Sequence, residues 1–314
     1  MHGRVLLEHE TLPSQALWID LLIPSAAETA LIKTQLAIDI PSREEMREIE
    51  TSNRFYEEGG ALYMTATVVT KLDTDLPENT QVTYILTSHQ LITNRYTDPL
   101  PFRRFIDYAD RHAGTCGDAA NILAGLLEAK INRIADVLER TSDQLDGLSQ
   151  QIFSAAGKNA RHRDIDYRAV LQRVGRIGDL NSKARETLGS FSRMLVFLQQ
   201  ANHKLISSEV RARLRTLMRD IEQMSNHAAF LGDKTQFMLD ATLGLINIDQ
   251  NNILKIFSVA TVVLLPPSVI GAVFGMNFAY LPTSEHPLGF FLALAAMVLS
   301  ALGPYLFFKR RGWL

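Results

Sequence analysis

Leu254, Thr261, Leu265, Ser268, Ala272 and Gly275 recur at steps of three, four and seven near the end of the chain. On a helix that spacing puts all six on one face. The face is small or weakly polar apart from its leucines, while the other sides are mainly Val, Ile and Phe. A stripe of small and hydroxyl-bearing residues serves either close helix contact or the wall of a water-filled path. Spacing alone does not choose between them. The stripe ends in Gly275-Met276-Asn277.

The elements that must carry this face are membrane spans. No charged side chain occurs from Ile256 to Ser284, or from Pro287 to Phe308. Each apolar run supplies about the 20 residues that a helix needs to cross a bilayer core. Lys255 precedes the first run and Lys309, Arg310 and Arg311 follow the second, while the connecting turn, Phe278 to His286, has no Lys or Arg. The positive-inside rule then predicts both termini in the cytoplasm and the turn outside. Pro266-Pro267 lies in the first run. In a soluble helix a proline would cost about 3 kcal/mol; in a bundle, neighbours and water satisfy the freed carbonyls. Glu285, the turn's only charge, is placed to attract cations or simply to be solvated.

The rest of the 314-residue chain is of a different kind. Net charge is −2, which gives no support for a nucleic-acid partner. The single cysteine, Cys116, excludes an internal disulfide and a cysteine metal cluster and suits a reducing cytosol. Met1 to Glu8 is too short an apolar stretch for a secretory signal.

Strand patterns dominate the first hundred residues. Leu17 to Ile23 is an apolar run ended by Pro24, Ala61 to Thr70 is rich in β-branched residues, and Gln81 to Thr87 with Gln90 to Asn94 predicts a hairpin across Ser88-His89. Helices are predicted from Ser25, with Glu28 completing a capping box, from Ser42 with Glu45, and over Pro101 to His112. This reads as a small α/β domain over residues 1–113. Beyond Asp118 apolar residues recur at helical spacing, then again from Ile165 to Gln200 and from Ser207 onward. No proline lies between Ser207 and Leu265, so one helix is expected to run from the soluble part into the first span. At about 1.5 Å per residue it would be roughly 100 Å long and would need partners, either the preceding helices or copies of itself. The expected parts are thus 1–113 α/β, 114–255 long-helix bundle and stalk, 256–308 two transmembrane helices, and 309–314 a basic tail.

This arrangement resembles the CorA family of divalent-cation channels. The residues that carry the likeness are Leu265-Pro266-Pro267-Ser268, then Gly271 through Pro282 with its Gly-Met-Asn, the Lys309-Arg310-Arg311-Gly312-Trp313-Leu314 end, and upstream Pro41 to Met46 and Ser52 to Tyr56. The resemblance implies a homopentameric funnel in the inner membrane, with the first spans lining a pore and the second facing lipid. It implies Gly275, Met276 and Asn277 as the selectivity filter and Asn251, Leu254, Thr261, Leu265, Ser268 and Gly275 as pore-lining, with Ala272 joining them by spacing. Magnesium would be the transported ion, with cobalt or nickel tolerated, and a regulatory metal would bind at Asp240. Magnesium dehydrates reluctantly, and a neutral amide ring at Asn277 would hydrogen-bond its water without stripping it. Phe274 stands where the family more often has Tyr, and Leu281-Pro282-Thr283 where Met-Pro-Glu often follows.

Two other readings compete. A zinc transporter of the ZntB type shares the architecture, but zinc favours His, Cys or carboxylate ligands, which the spans lack. A membrane-anchored scaffold would need no small, hydroxyl-bearing face. An enzyme is not expected: His162, His203 and His227 lie on predicted helices without a second ligand at i+4, and no nucleophile elbow or phosphate loop occurs.

Overall fold

The computed structural model describes residues 16–72, 74, 76–111, 117–155, 166–201, 205–276 and 288–313. The chain divides into two compact units, 1–239 and 240–314.

In the first unit, strands β1 (Trp18–Leu22), β2 (Phe55–Glu58), β3 (Ala61–Thr70), β4 (Glu78–Leu86) and β5 (Leu91–Arg95) form one sheet in the order β1-β5-β4-β3-β2. β1 runs parallel to β5 with Trp18 opposite Leu91, and the other pairs are antiparallel. The β4–β5 hairpin turns at the expected place, where the Thr87 hydroxyl accepts the Gln90 N–H at 2.9 Å. β4 begins three residues earlier than the alternation predicts, because its start pairs with the far end of β3, Thr70 opposite Glu78. β2 is absent from the sequence reading. Its signal is the Gly59-Gly60 dipeptide, whose positive φ values of 59° and 77° make the tight turn into β3.

Helix α1 (Ala26–Leu36) starts as predicted: Glu28 N–H donates to Ser25 Oγ at 3.2 Å and Ser25 N–H to Glu28 Oε2 at 2.7 Å. Ser42 and Glu45 make the same reciprocal pair before a single 3-10 turn, Glu45–Arg47. A short helix α2 (Thr51–Arg54) leads into β2. Ile32 of α1 joins Ile19, Ala61, Tyr63, Ile85 and Ile92 in one apolar cluster. α3 (Leu100–Arg111), α4 (Ala119–Ala155), α5 (Tyr167–Gln200) and α6 (Ser208–Phe274) follow. α5 lies against β3, and all ten residues of that strand are buried.

β2 stops after pairing with the first four residues of β3, which leaves the outer N–H groups of Thr67 and Val69 without a strand. α5 supplies the acceptors: Ser190 Oγ takes Thr67 N–H at 2.9 Å and Thr187 Oγ1 takes Val69 N–H at 3.0 Å. A buried N–H left unmade would cost about 1–3 kcal/mol, so these two hydroxyls fix the helix against the strand. The soluble part of α6 is held to α4 by the bidentate pair of Arg213 with Glu128, at 2.8 and 3.0 Å, and to α5 by Asn181 Nδ2 donating to Ala228 O at 2.9 Å.

A buried charge cluster sits beside β5. Arg95, 4% exposed, donates to both oxygens of Asp20 and to Asp98. Burial works against its charge, but Asp20 and then Asp98 outweigh it and hold its pKa above the ordinary value. Lys130 of α4 is also buried, and its Nζ has no hydrogen-bond partner and lies 4.8 Å from the Phe102 ring centroid. Burial, and after it the Arg95 charge, push its pKa down to about 7 from 10.5.

The unfolded chain keeps that lysine proton up to its ordinary pKa, whereas the folded one releases it near 7. Stability should therefore rise with pH above about 7 and flatten near the ordinary lysine value. Lys130→Met is expected to abolish this rise and to raise the unfolding midpoint at neutral pH. Thermal unfolding of both proteins from pH 6 to pH 10 checks the two outcomes.

Candidate functional site

The second unit contains the end of α6 and helix α7 (Gly289–Arg310). Both helices are long and apolar enough to cross a membrane. Their side chains are exposed to a degree that water does not permit: Phe257 is 66% exposed, Leu264 65% and Phe290 71%. A continuous apolar surface of this kind requires lipid or further protein around it.

The exposure is uneven, and the unevenness has a direction. On α6 the shielded or half-shielded residues are Val259, Val263, Pro266, Pro267, Ile270 and Gly271. On α7 they are Gly289, Ala293, Ala296, Met297, Ser300, Ala301, Pro304 and Phe308. At about 100° per residue, the shielded α6 residues share one side. α7 covers that side: a Cβ added at Gly271 would lie 2.7 Å from Met297 Cε. Leu254, Thr261, Leu265, Ser268 and Ala272 are all exposed. They project about 180° away from the shielded side. The stripe read from spacing is thus not the contact between these two helices. Ser258, which the spacing omits, is exposed on the same side as the stripe.

The hydroxyls have a defined sense. Thr261 Oγ1 donates to Phe257 O at 2.9 Å, Ser268 Oγ to Leu264 O at 2.8 Å and Ser258 Oγ to Leu254 O at 2.8 Å. With its hydrogen used in the helix, each oxygen offers lone pairs outward. Such an oxygen accepts from water, as the hydration shell of a cation requires. Among the described residues from Ile256 to Phe308, Tyr305 is the only ionisable one, so the stripe carries no fixed charge. Pro266 and Pro267 stay inside the helix; lacking N–H groups, they leave the carbonyls of Val262 and Val263 without their helical donors.

The stripe ends where α6 tightens. Gly275 N–H donates to Gly271 O at 2.9 Å and Met276 N–H to Val273 O at 3.3 Å, so the last turn narrows to i→i−3 spacing. A Cβ at Gly275 would meet Gly271 O at 3.1 Å, which makes this turn costly for any side chain. Asn277 and Glu285, the remaining expected residues of the outer end, lie outside the described residues, as do His162 and His203. Asn251 and Asp240 are exposed on α6. No group of three or more metal-ligating side chains occurs among the described residues, so Asp240 does not sit in a ligand cluster within one described chain.

The family model described as "CorA-like Mg2+ transporter protein" matches residues 13–310. The chain belongs to the CorA family. It is 32% identical over 312 residues to the magnesium transport protein CorA of Yersinia pseudotuberculosis serotype I, covering 99% of this chain and 96% of that one. It is also 32% identical over 299 residues to the magnesium transport protein CorA of Escherichia coli strain K12, covering 95% and 92%. The fold is that of the complete CorA magnesium transporter from Methanocaldococcus jannaschii, with a TM-score of 0.78 at 21% identity over 98% of this chain and 95% of the other. The full-length CmaX protein matches with a TM-score of 0.70 at 16% identity, over 96% and 90%. CorA proteins are transporters, not enzymes. An α/β domain, long helices and two C-terminal apolar helices are the fold class expected from the sequence, and the CorA match carries that fold here.

Met297 is a flexible neighbour, so Gly271→Ala should be accommodated, whereas Gly271→Leu should force α7 away from α6. In detergent the leucine variant is expected to melt lower than the parent, with Met297→Ala restoring part of the loss. A leucine variant that melts with the parent would contradict this packing.

Proposed function

We propose that the chain is one subunit of a homopentameric magnesium channel of the inner membrane, with both termini cytoplasmic. Asn251, Leu254, Thr261, Leu265, Ser268, Ala272 and Gly275 would line the path, and Gly275, Met276 and Asn277 would form its outer filter. The observation that carries this reading is the position of the uncharged, acceptor-bearing stripe. It faces away from α7 and leads to the Gly275 turn. The magnesium transport of the CorA relatives supports the same ion.

A neutral wall suits a divalent ion that keeps its water. Hydroxyl oxygens and the Asn277 amide exchange hydrogen bonds with the hydration shell and do not replace it, so the ion is selected without being trapped. Leu254 and Leu265 are the wide apolar side chains on the path, where closure would expel water. Inward movement of two charges through 100 mV is favourable by about 4.6 kcal/mol, twice the single-charge figure, so the potential is a sufficient driving force. Asp240 would bridge subunits through a cytoplasmic divalent ion and stabilise the closed state, which loses that ion when cytoplasmic magnesium falls. Cobalt and nickel would be carried as ions of similar charge and hydration.

Vesicles containing the purified protein should take up magnesium, in competition with cobalt, when the interior is negative. Asn277→Ala should lose this uptake while its oligomer remains the parent's size; unchanged uptake refutes the filter. Faster uptake of zinc than of magnesium, enhanced by a pH gradient, would replace magnesium with zinc as the cargo. Asp240→Ala should keep conducting at internal magnesium concentrations that close the parent, and identical inhibition of the two would remove Asp240 from regulation.

A further inference from the structure

The charges around Lys130 balance without it. Asp20 of β1 pairs with Arg95 of β5, and Asp98 pairs with Arg95 and with Arg103 of α3. Two carboxylates thus face two guanidiniums. Tyr84 of β4 adds no charge, because burial pushes its hydroxyl well above the ordinary pKa. Lys130 enters this cluster from α4, buried and with no hydrogen-bond partner on its Nζ. Nζ lies 4.8 Å from the Phe102 ring centroid, and the Arg95 guanidinium lies 4.7 Å from the same point. Arg95, Asp20 and Asp98 are the charges it feels. A neutral amine fits this position. An ammonium would be a surplus buried charge without a carboxylate of its own. The exchange between the two falls at about 7, inside the interval that histidine ordinarily serves.

The helix that carries Lys130 is closely seated. At Gly125 an added Cβ would lie 2.5 Å from Phe105 Cε2 of α3. The same helix grips α6. Glu128, two residues before Lys130, accepts from the Arg213 guanidinium at 2.8 and 3.0 Å, and Asn121 Oδ1 accepts from Arg213 Nη1 at 2.9 Å. α6 runs unbroken from Ser208 to Phe274 and bears the stripe.

We propose that Lys130 is a proton-sensitive control on conduction: once protonated, it draws Asp20 or Asp98 from Arg95, α4 shifts against the sheet, and the shift reaches α6 through Glu128 and Arg213. The control of conduction rests on the channel reading above. The protonation and the exchange of ion pairs do not.

The protein has two tryptophans, so Trp313→Phe in the full chain leaves Trp18 as the sole reporter, its ring centroid 6.3 Å from that of Phe102. Trp18 emission should titrate with a midpoint at about 7, and Lys130→Met should remove that midpoint. Magnesium uptake into vesicles, with the same pH on both sides, should differ between pH 6 and pH 8 by about five-fold or more, the lower end of coupling between sites. Lys130→Met should make uptake indifferent to pH. Glu128→Ala should weaken the pH dependence of uptake and leave the Trp18 titration in place. A Trp18 midpoint that survives in Lys130→Met belongs to another group and overturns the proposal. So does a pH dependence of uptake that survives there, or a parent whose uptake ignores pH. No uptake at either pH, with a Trp18 titration that Lys130→Met removes, would overturn the channel reading and its control together and leave the proton site standing.

Discussion

A helix in hydrocarbon must satisfy its own amides and can show no charge to the lipid, and the helical stretches 256–274 and 289–308 are built to that constraint. These stretches hold one ionisable side chain, Tyr305. The serine and threonine hydroxyls of the first donate back into the helix. With every large residue apolar, the helices have little polar contact to choose a packing face, and the choice falls to size. Gly271 on α6 admits Met297, and the alanines of α7 turn toward the same side. The face left over on α6 is the one with lone pairs pointing outward.

The proline pair extends this logic. Elsewhere Pro266 and Pro267 would break a helix. Here both lie on the half-shielded side, and α6 continues through them to Phe274. The stripe on the other side contains neither proline. Gly275 then ends the helix in a tightened turn that no side chain would improve.

The soluble unit solves a different problem, that of burying a strand whose partner ends early. β3 is buried along its whole length, yet β2 pairs with less than half of it. Ser190 and Thr187 complete its hydrogen bonds from a helix more than a hundred residues away in sequence. The same unit tolerates a buried arginine because Asp20 and Asp98 surround it. Lys130, beside them without a hydrogen bond, is the exception, and burial, then the Arg95 charge, lower its pKa.

Patterns of period and charge are local, and what depends on them was legible in the chain: the two apolar runs, the unbroken helix into the first of them, the capping boxes at Ser25 and Ser42, the β4–β5 hairpin and the six-residue stripe. The Gly-Met-Asn text and the basic end sufficed for the family. Pairing between distant segments is not local, and tertiary structure alone decided it. β2 is four residues long and shows no alternation of its own, so it exists only through β3. Asp20, Arg95 and Lys130 are far apart in sequence and look like surface charges until the sheet and α4 enclose them. The stripe on α6 had two meanings at the level of spacing. The placement of α7 on the opposite side shows that the stripe is not the contact between these two helices, because which face of a helix is covered is a property of its neighbour and not of its own sequence.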